Sequence, residues 1–167
     1  MLTARVPPCL PCRGLTLVEL LVAIAIVAVG ATLAAPDIAT MVANYKVRGA
    51  AENLLNGLGY ARGEAIRRNS PVRFSLAPTG WSVAQLSPAT TLQSYASSDA
   101  VTVTSDNAAT SVTFLPTGLV QAGTQLRQLT VASAVDPADT RRINIFGGGL
   151  IRMCDPGVTA AGDPRSC

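Results

Sequence analysis

Residues 14–31 read G-L-T-L-V-E-L-L-V-A-I-A-I-V-A-V-G-A, and this stretch decides how the chain is organised. An apolar helix of about 20 residues is long enough to cross the hydrocarbon core of a bilayer. From residue 15 to residue 35 the run is apolar except at four positions: Thr16, Glu19, Gly30 and Thr32. A carboxylate inside such a helix costs about 2.5–3.5 kcal/mol at the helix centre. Glu19 therefore needs a role that offsets this cost.

Three interpretations of residues 1–35 are open. A secretory signal peptide explains the basic start and the small residues before Pro36, but the apolar run is long for one and Glu19 interrupts it. A plain membrane anchor explains the length but not the glutamate. The third interpretation is a short basic leader, with Arg5 and Arg13, that ends at Gly14 and is cut from the chain.

The segment R-G-L-T-L-V-E at 13–19 resembles the processing site of type IV pilins and type II secretion pseudopilins. The resemblance implies that a prepilin peptidase cuts between Gly14 and Leu15 and that the new N-terminus is methylated. Glu19, then the fifth residue, would pair with the terminal amine of a neighbouring subunit and set axial register. Leu15 replaces the usual phenylalanine of the family. The alternative for Glu19 is a carboxylate that snorkels or is protonated near the membrane surface.

The composition bounds the function of the rest of the chain. The protein has 167 residues, 49% of them hydrophobic and 14% charged, with a net charge of +3 and no histidine. Nothing in this charge requires a nucleic-acid partner. No metal-ligand cluster, phosphate-binding glycine motif or catalytic spacing is recognisable, so the sequence predicts a protein that is not an enzyme and has no cofactor.

The pattern predicts one long helix over residues 15–69, bent at Pro36, that divides into two functional parts. Residues 15–36 would form a transmembrane and filament-spine helix, and residues 37–69 an amphipathic half that packs under a sheet. Asn69-Ser70-Pro71 is a stop signal. The apolar positions at mainly helical spacing are Ile38, Val42, Tyr45, Leu55, Leu58 and Ala65.

Residues 70–167 predict a globular β-rich head. Trp81, Phe74 and Phe114 are expected in its core, and residues 87–99 in a surface loop. Short β-type runs separated by turn residues predict seven strands: 72–76, 81–86, 100–104, 112–115, 126–132, 142–146 and 150–154. One long helix followed by such strands indicates an α+β fold with antiparallel pairing.

This second half resembles the GspH/FimT family of minor pilins and pseudopilins. The resemblance rests on F-L-P-T-G at 114–118, on R-R-I-N-I-F-G-G-G-L-I-R-M-C-D-P at 141–156 and on D-P-R-S-C at 163–167. It implies a type IV pilin-like fold, with the membrane-spanning first half of the helix leading into a helix packed on an antiparallel β module. The C-terminal C-D-P and D-P-R-x-C pattern is most similar to the FimT and FimU-like minor pilins, and the secretion pseudopilins are next.

Cys154 and Cys167 are the only cysteines that remain after the predicted cut. In an oxidising periplasm they are expected to form a disulfide, which in the chain-entropy model contributes about 3 kcal/mol. Two free thiols are the alternative. A catalytic thiol is excluded because the chain has no histidine to act as its base.

Some FimT-like minor pilins bind DNA through a G-R-x-R motif near the C-terminus. The matching place here is Gly149-Leu150-Ile151-Arg152, so the first arginine is replaced by leucine. DNA binding is therefore possible but not favoured, and the favoured interpretation is that Arg152 and Arg165 are solvated or pair with Asp155 and Asp163. The candidate DNA-contacting cations are Arg141, Arg142, Arg152 and Arg165.

The resemblance implies a structural protein. It would be a minor pilin of a type IV pilus, in its tip or priming complex, with other pilins, the prepilin peptidase and the inner membrane as partners. Before assembly it would span the inner membrane once, with a cytoplasmic N-terminus, favoured by Arg5 and Arg13, and a periplasmic head. The alternatives are a pseudopilin of a type II secretion system and a DNA-binding tip pilin for natural transformation.

Overall fold

The computed structural model describes residues 16–96, 101–135, 138–160 and 162–167. Within these ranges the chain forms one helix, α1, at Leu17–Arg67, followed by strands only. The strands are β1 (Val72–Ala77), β2 (Gly80–Leu86), β3 (Ala89–Ala96), β4 (Val101–Ser105), β5 (Ser111–Phe114), β6 (Gln128–Ser133), β7 (Arg141–Ile145) and β8 (Ile151–Cys154). The chain divides into two compact units, Met1–Asp37 and Ile38–Cys167.

Only two segments of α1, taken together, are long and apolar enough for a membrane span among the described residues. Among the described residues no single helix meets the length and apolarity required of a membrane span, whereas the bent pair Leu17–Thr32 and Ala34–Arg67 meets it by length and composition. Pro36 lies near the start of the second segment of this pair. A proline ring clashes with the carbonyl four residues earlier, so its distortion of a helix falls on the preceding turn.

In the unit Ile38–Cys167 the helix turns a face of mostly small residues to the core. The buried positions are three or four residues apart: Ala43, Val47, Ala51, Leu54, Leu58, Ala61 and Ala65. The predicted apolar stripe was therefore only partly right. Leu58 and Ala65 are buried, but Ile38, Val42 and Tyr45 are exposed. The alanines let the helix approach the strands closely, and Leu54 and Leu58 fill the space between them.

The helix ends at Arg67, two residues before the predicted end at residue 69. Asn69 adopts a positive φ of 48°, Ser70 N–H donates to the Ala65 carbonyl at 3.2 Å, and Asn69 N–H donates to the Ile66 carbonyl at 3.3 Å. These two bonds form a Schellman motif with asparagine at the left-handed position. The motif satisfies carbonyls that the end of the helix would leave without partners.

The strands form two antiparallel four-stranded sheets, in the orders β3-β2-β1-β5 and β4-β6-β7-β8. In the first sheet Phe74 lies opposite Val83 and Val112. In the second, Ile143 lies opposite Leu129 and Met153. The α+β class and the antiparallel pairing predicted from the sequence are confirmed.

One predicted loop is a strand. Residues 89–96 form β3, which pairs along β2 from Ala89 opposite Leu86 to Ala96 opposite Gly80. Its residues are exposed except for Leu92, which is half-buried. A strand at the edge of a sheet and open to water on both faces carries no alternation of apolar and polar residues, so its sequence resembles that of a loop. A bulge between Val83 and Ala84 interrupts the pairing.

The core confirms the expected aromatic residues. Phe74 and Phe114 are fully buried and Trp81 is 5% exposed. Trp81 stacks between Phe74 and Tyr95, with ring centroids 5.5 and 5.9 Å away. Its indole N–H donates to the Asn53 side-chain oxygen at 2.8 Å, which satisfies the polar atom of an otherwise apolar contact between helix and sheet.

A buried ion-pair cluster fixes the last turn of α1. Glu64 accepts hydrogen bonds from Arg67 at 2.6 and 2.8 Å and from Arg68 at 2.5 Å. The Glu64 side chain is only 9% exposed. The hydrogen bonds from Arg67, and then those from Arg68, lower the pKa of Glu64 to about 2. The carboxylate therefore stays charged where it is mostly shielded from water.

Candidate functional site

The first candidate site is the start of α1. Thr16 precedes the helix and its hydroxyl oxygen accepts a hydrogen bond from Glu19 N–H at 3.2 Å. Thr16 is thus the N-cap and Glu19 occupies the third helical position, as in a Thr-x-x-Glu capping box. A carboxylate in the first turn is also favoured by the helix dipole. The sequence analysis missed this role of Glu19, although T-L-V-E carries its signature.

The part of α1 on both sides of Glu19 exposes apolar side chains all round the helix. The nine large apolar residues concerned are between 52% and 74% exposed. They are Leu17, Val18, Leu20, Leu21, Val22, Ile24, Ile26, Val27 and Val29. A helix that is apolar all round is a segment that other helices or lipid surround in use.

The unit Ile38–Cys167 has an apolar stripe of its own on α1. Ile38, Met41, Val42 and Tyr45 are 59%, 56%, 45% and 64% exposed. Their spacing of three and four residues places them on one face of the helix. The opposite side of the same turns carries Ala43 and Val47, which are buried in the core. In these turns one face of α1 packs against the strands of the same chain, and another face exposes apolar side chains to water.

The predicted processing site lies outside the described residues. This applies to both Gly14 and Leu15. Pro36 lies inside α1. The structure thus places Glu19 and Pro36 on one helix, and it gives no geometry for the cleavage itself.

The second candidate site is the C-terminal tail. Cys154 and Cys167 form a disulfide with a Cα–Cα distance of 5.1 Å. Asp155 N–H donates to the Arg165 carbonyl at 2.7 Å, and Asp155 forms a parallel bridge with Ser166. The guanidinium of Arg152 donates to the carbonyls of Pro164 at 2.8 Å and Ser166 at 3.0 Å. These contacts fasten the tail to the end of β8.

Two of the four candidate DNA-contacting arginines are neutralised. Arg141 pairs with Asp155 at 2.5 Å and Asp139 at 3.2 Å. Arg165 pairs with Asp163 at 2.8 Å, and its hydrogen bonds lower the pKa of Asp163 to about 2. The expected pair of Arg165 with Asp163 is therefore present.

The other two arginines differ from the expectation. Asp155 pairs with Arg141 and not with Arg152, because Arg152 is engaged by the tail carbonyls. The buried Nε of Arg142 has no hydrogen-bond partner within the described part of the chain. The four arginines thus do different things and do not form one free cationic cluster. Within those same ranges no group of histidine, cysteine or acidic side chains could hold a metal ion.

Two protein-family models match separate parts of the chain. Residues 10–35 match the prokaryotic N-terminal methylation motif. Residues 50–149 match the family described as type II transport protein GspH. No curated protein is significantly similar to this chain.

Solved structures share the fold. The type IV minor pilin FimU of Pseudomonas aeruginosa, in one crystal form, is 22% identical over 64% of this chain and 90% of its own, with a TM-score of 0.52. A second crystal form of FimU has a TM-score of 0.54 at 21% identity, over 65% of this chain and 88% of that one. The minor pseudopilin EpsH of Vibrio cholerae is 15% identical over 68% of this chain and 99% of its own, with a TM-score of 0.54.

Proposed function

This chain belongs to the GspH family of pilin-like structural subunits, which are not enzymes, and we propose that it is a minor pilin of a type IV pilus. The methylation motif implies a membrane-anchored precursor that is later assembled. In this proposal residues 1–14 are the leader, residues 15–36 the membrane and filament-spine helix, residues 37–69 the amphipathic half and residues 70–167 the head. The precursor spans the inner membrane once with its head in the periplasm, and joins a tip or priming complex.

The observation that carries the proposal is the exposed apolar surface of α1. It surrounds the helix from Leu17 to Val29 and then narrows to the stripe from Ile38 to Tyr45. Lipid can cover the first part before assembly. The stripe lies on the unit Ile38–Cys167, whose other helix face is already buried, and packing against neighbouring helices would cover it. A filament with a central bundle of helices provides this environment.

Glu19 then has two separable tasks. Its backbone N–H completes the cap with Thr16 within its own chain. Its carboxylate is free to pair with the cationic N-terminus of a neighbouring subunit, and in an apolar bundle such a pair is favoured over either charge alone. The pair makes one axial offset between subunits more stable than the others, which is a register function.

The experiment compares Glu19→Gln, Glu19→Ala and Thr16→Ala in cells that make the full chain. Both Glu19 variants keep the backbone N–H that donates to the Thr16 hydroxyl, and glutamine keeps the polarity of the side chain while removing its charge. We expect the amount of protein in sheared filaments to fall at least tenfold for both Glu19→Gln and Glu19→Ala. The amount of each variant in the membrane should stay normal. Thr16→Ala loses the acceptor for Glu19 N–H, and we expect it to be incorporated at near wild-type levels.

Two outcomes contradict this account. Normal incorporation of Glu19→Gln would show that the charge of the carboxylate is not needed for assembly. Absence of the wild-type chain from filaments would overturn the pilus assignment.

A pseudopilus subunit of a type II secretion system is the second candidate function. The TM-score to EpsH, 0.54, matches those to FimU, 0.52 and 0.54, although the sequence identity is lower, at 15% against 22% and 21%. The assembly chemistry is the same in both cases. Deletion of the gene separates them: a minor pilin deletion reduces surface filaments and leaves protein secretion intact, whereas a pseudopilin deletion does the reverse.

A further inference from the structure

We propose that four exposed apolar side chains at the end of the head form a docking surface for a neighbouring protein subunit. The surface, here called the apolar cap, consists of Ile66, Leu119, Phe146 and Leu150, which are 49%, 47%, 47% and 60% exposed. The partner that fits it is a protein segment with apolar residues at its centre and carboxylates around them. The inference rests on the proposed function in that the partner is a neighbour in the same assembly.

Close contacts bring the three segments of the cap together. Arg62, on the last turns of α1, donates through Nε to the Gly118 carbonyl at 3.1 Å. A Cβ built on Gly118 would lie 3.0 Å from Cδ1 of Ile66. Val120 N–H donates to the Gly147 carbonyl at 3.0 Å, which ties the turn holding Leu119 to the turn that holds Phe146 and Leu150.

Both turns are held rigidly in place. Leu115 N–H donates to the Leu119 carbonyl at 2.8 Å, and Phe146 N–H donates to the Leu150 carbonyl at 2.9 Å. Gly149, at a φ of 80°, approaches so closely that a Cβ would lie 2.0 Å from the Gly118 carbonyl oxygen. No side chain other than hydrogen fits there. A surface ordered in advance loses little conformational entropy when a partner binds.

The turns themselves do not require large apolar residues at these positions. Gly118 and Gly149 supply the left-handed backbone, whereas Leu119 and Leu150 point their side chains into water. Contiguous exposed apolar side chains on a soluble head are typical of interaction sites. A rigid turn that presents leucine and phenylalanine is better explained by contact with another molecule than by the stability of the fold.

The charges around the cap define the partner. Neither residues 111–127 nor residues 141–153 contain an acidic residue. Glu64, on the adjoining helix turn, is already bound by two arginines. In the described part of the chain Arg62 and Arg127 have no ion-pair partner. Nε of Arg62 donates to the Gly118 carbonyl. Arg127 is exposed, and its carbonyl accepts from the N–H of Ile145, the residue before Phe146.

An apolar centre with uncompensated cations beside it is complementary to an apolar anchor flanked by aspartate or glutamate. The partner's apolar side chains would displace water from the cap, and its carboxylates would compensate the charges of Arg62 and Arg127. A second copy of this chain and an anionic lipid surface are the competing occupants, and the test below separates them from the proposal.

The test uses the full chain in its own cells, with a photoreactive phenylalanine analogue in place of Leu150. A matched control carries the analogue at Leu86, which is 37% exposed and lies on the other sheet. We expect a crosslink from position 150 to a different pilin-type chain, mapped by mass spectrometry to apolar residues next to carboxylates. A crosslink to another copy of this chain, or one equally strong from position 86, would overturn the proposal.

Two variants test the chemistry of the contact. We expect Leu150→Asp to reduce incorporation into sheared filaments at least fivefold, and Leu86→Asp to leave it unchanged. Arg127→Glu should weaken the crosslink at least threefold, and Lys46→Glu, an exposed cation on α1, should not. Equal incorporation of Leu150→Asp and wild type would overturn the cap while leaving the pilin assignment intact, since the wild type would still be in filaments.

Flotation with vesicles of phosphatidylglycerol and phosphatidylcholine tests the lipid alternative. The chain inserts through its apolar helix in any case, so the variant comparison is made with Leu150→Asp on the same vesicles. Loss of flotation in that variant alone would show that the cap binds lipid, and it would overturn the proposal of a protein partner.

Discussion

A Cβ atom at Gly57 would lie 2.8 Å from Cζ2 of Trp81, closer than two carbon atoms pack. Gly57 lies on the buried side of α1 and Trp81 on β2, so the helix and the sheet are in close contact here. By contrast, a Cβ at Gly59 or Gly63 meets nothing within 4 Å. Gly57 therefore has a packing role that Gly59 and Gly63 do not have.

Gly57→Ala is expected to destabilise the head. Overpacking a well-filled core costs about 1–3 kcal/mol, and the gain in helix propensity from glycine to alanine offsets about 1 kcal/mol of this. Gly63→Ala is the matched control, because it has the same propensity gain and open space at its Cβ. Thermal unfolding of the purified protein should show a lower Tm for Gly57→Ala and an equal or higher Tm for Gly63→Ala. A higher Tm for both would contradict the contact.

Glu64 should make the head sensitive to acid. Its pKa is lowered from 4.5 to about 2 in the folded state by hydrogen bonds from Arg67 and Arg68. The resulting stability is fully present above about pH 5 and is lost as the pH falls through about 2. Urea unfolding at pH 7 should show Glu64→Gln less stable by about 1–3 kcal/mol, a range discounted for the exposure of Arg67.

The difference between wild type and Glu64→Gln should shrink as the pH falls from 5 to 2. Glu52→Gln is the control, because Glu52 forms a comparable pair with Arg48 at 2.9 Å but on the exposed surface. We expect a much smaller loss there, as exposed pairs contribute little. An undiminished difference at pH 2 would show that Glu64 acts through packing and not through its charge.

The disulfide should contribute stability mainly by ordering the tail. Cys167→Ser removes the bond and leaves the buried Cys154 in place, at a predicted loss of about 3 kcal/mol in the chain-entropy model. Urea unfolding of the oxidised wild type and of the variant measures this loss. The reduced wild type should match the variant. Proteolysis within residues 155–166 should accelerate in both, while the sheets stay protected.

DNA binding by the C-terminal arginines is not expected. Arg141 and Arg165 are paired with aspartates, and Arg152 is bound to tail carbonyls, so few cations remain to contact phosphates. A gel shift with duplex DNA at two salt concentrations should show no complex at micromolar protein, for the wild type and for Arg152→Ala alike. A complex that weakens with salt and disappears in Arg152→Ala would establish a DNA-binding tip pilin instead.

The features that could be predicted from the sequence are those that short stretches of residues encode. The end of α1 could be predicted to within two residues because Asn69-Ser70-Pro71 is a local stop signal, and seven of the eight strands followed from short β-type runs between turn signals. The buried face of the helix could not be predicted, because Ala43, Ala51 and Ala61 give a weak apolar signal beside larger side chains that remain exposed. A search for large apolar residues found the face that the head leaves uncovered.

The parts of the site that depend on three-dimensional contacts were not predictable. The pairing of Asp155 with Arg141, and not with Arg152, follows from the position of the tail across β8. The apolar cap joins residues 66, 119, 146 and 150, which no sequence window contains. The division of the strands into two sheets likewise depends on long-range pairing, such as β1 with β5.

Strand β3 has a practical consequence for handling the protein. It is an edge strand whose residues, A-T-T-L-Q-S-Y-A, include no charge that would discourage another chain from pairing with it. The bulge between Val83 and Ala84 is the one feature of its described pairing that makes the edge irregular. Concentrated samples are therefore most exposed to intermolecular sheet formation along β3. A lysine at Thr91, an exposed position, is the substitution that would keep such samples monodisperse without touching the helix or the cap.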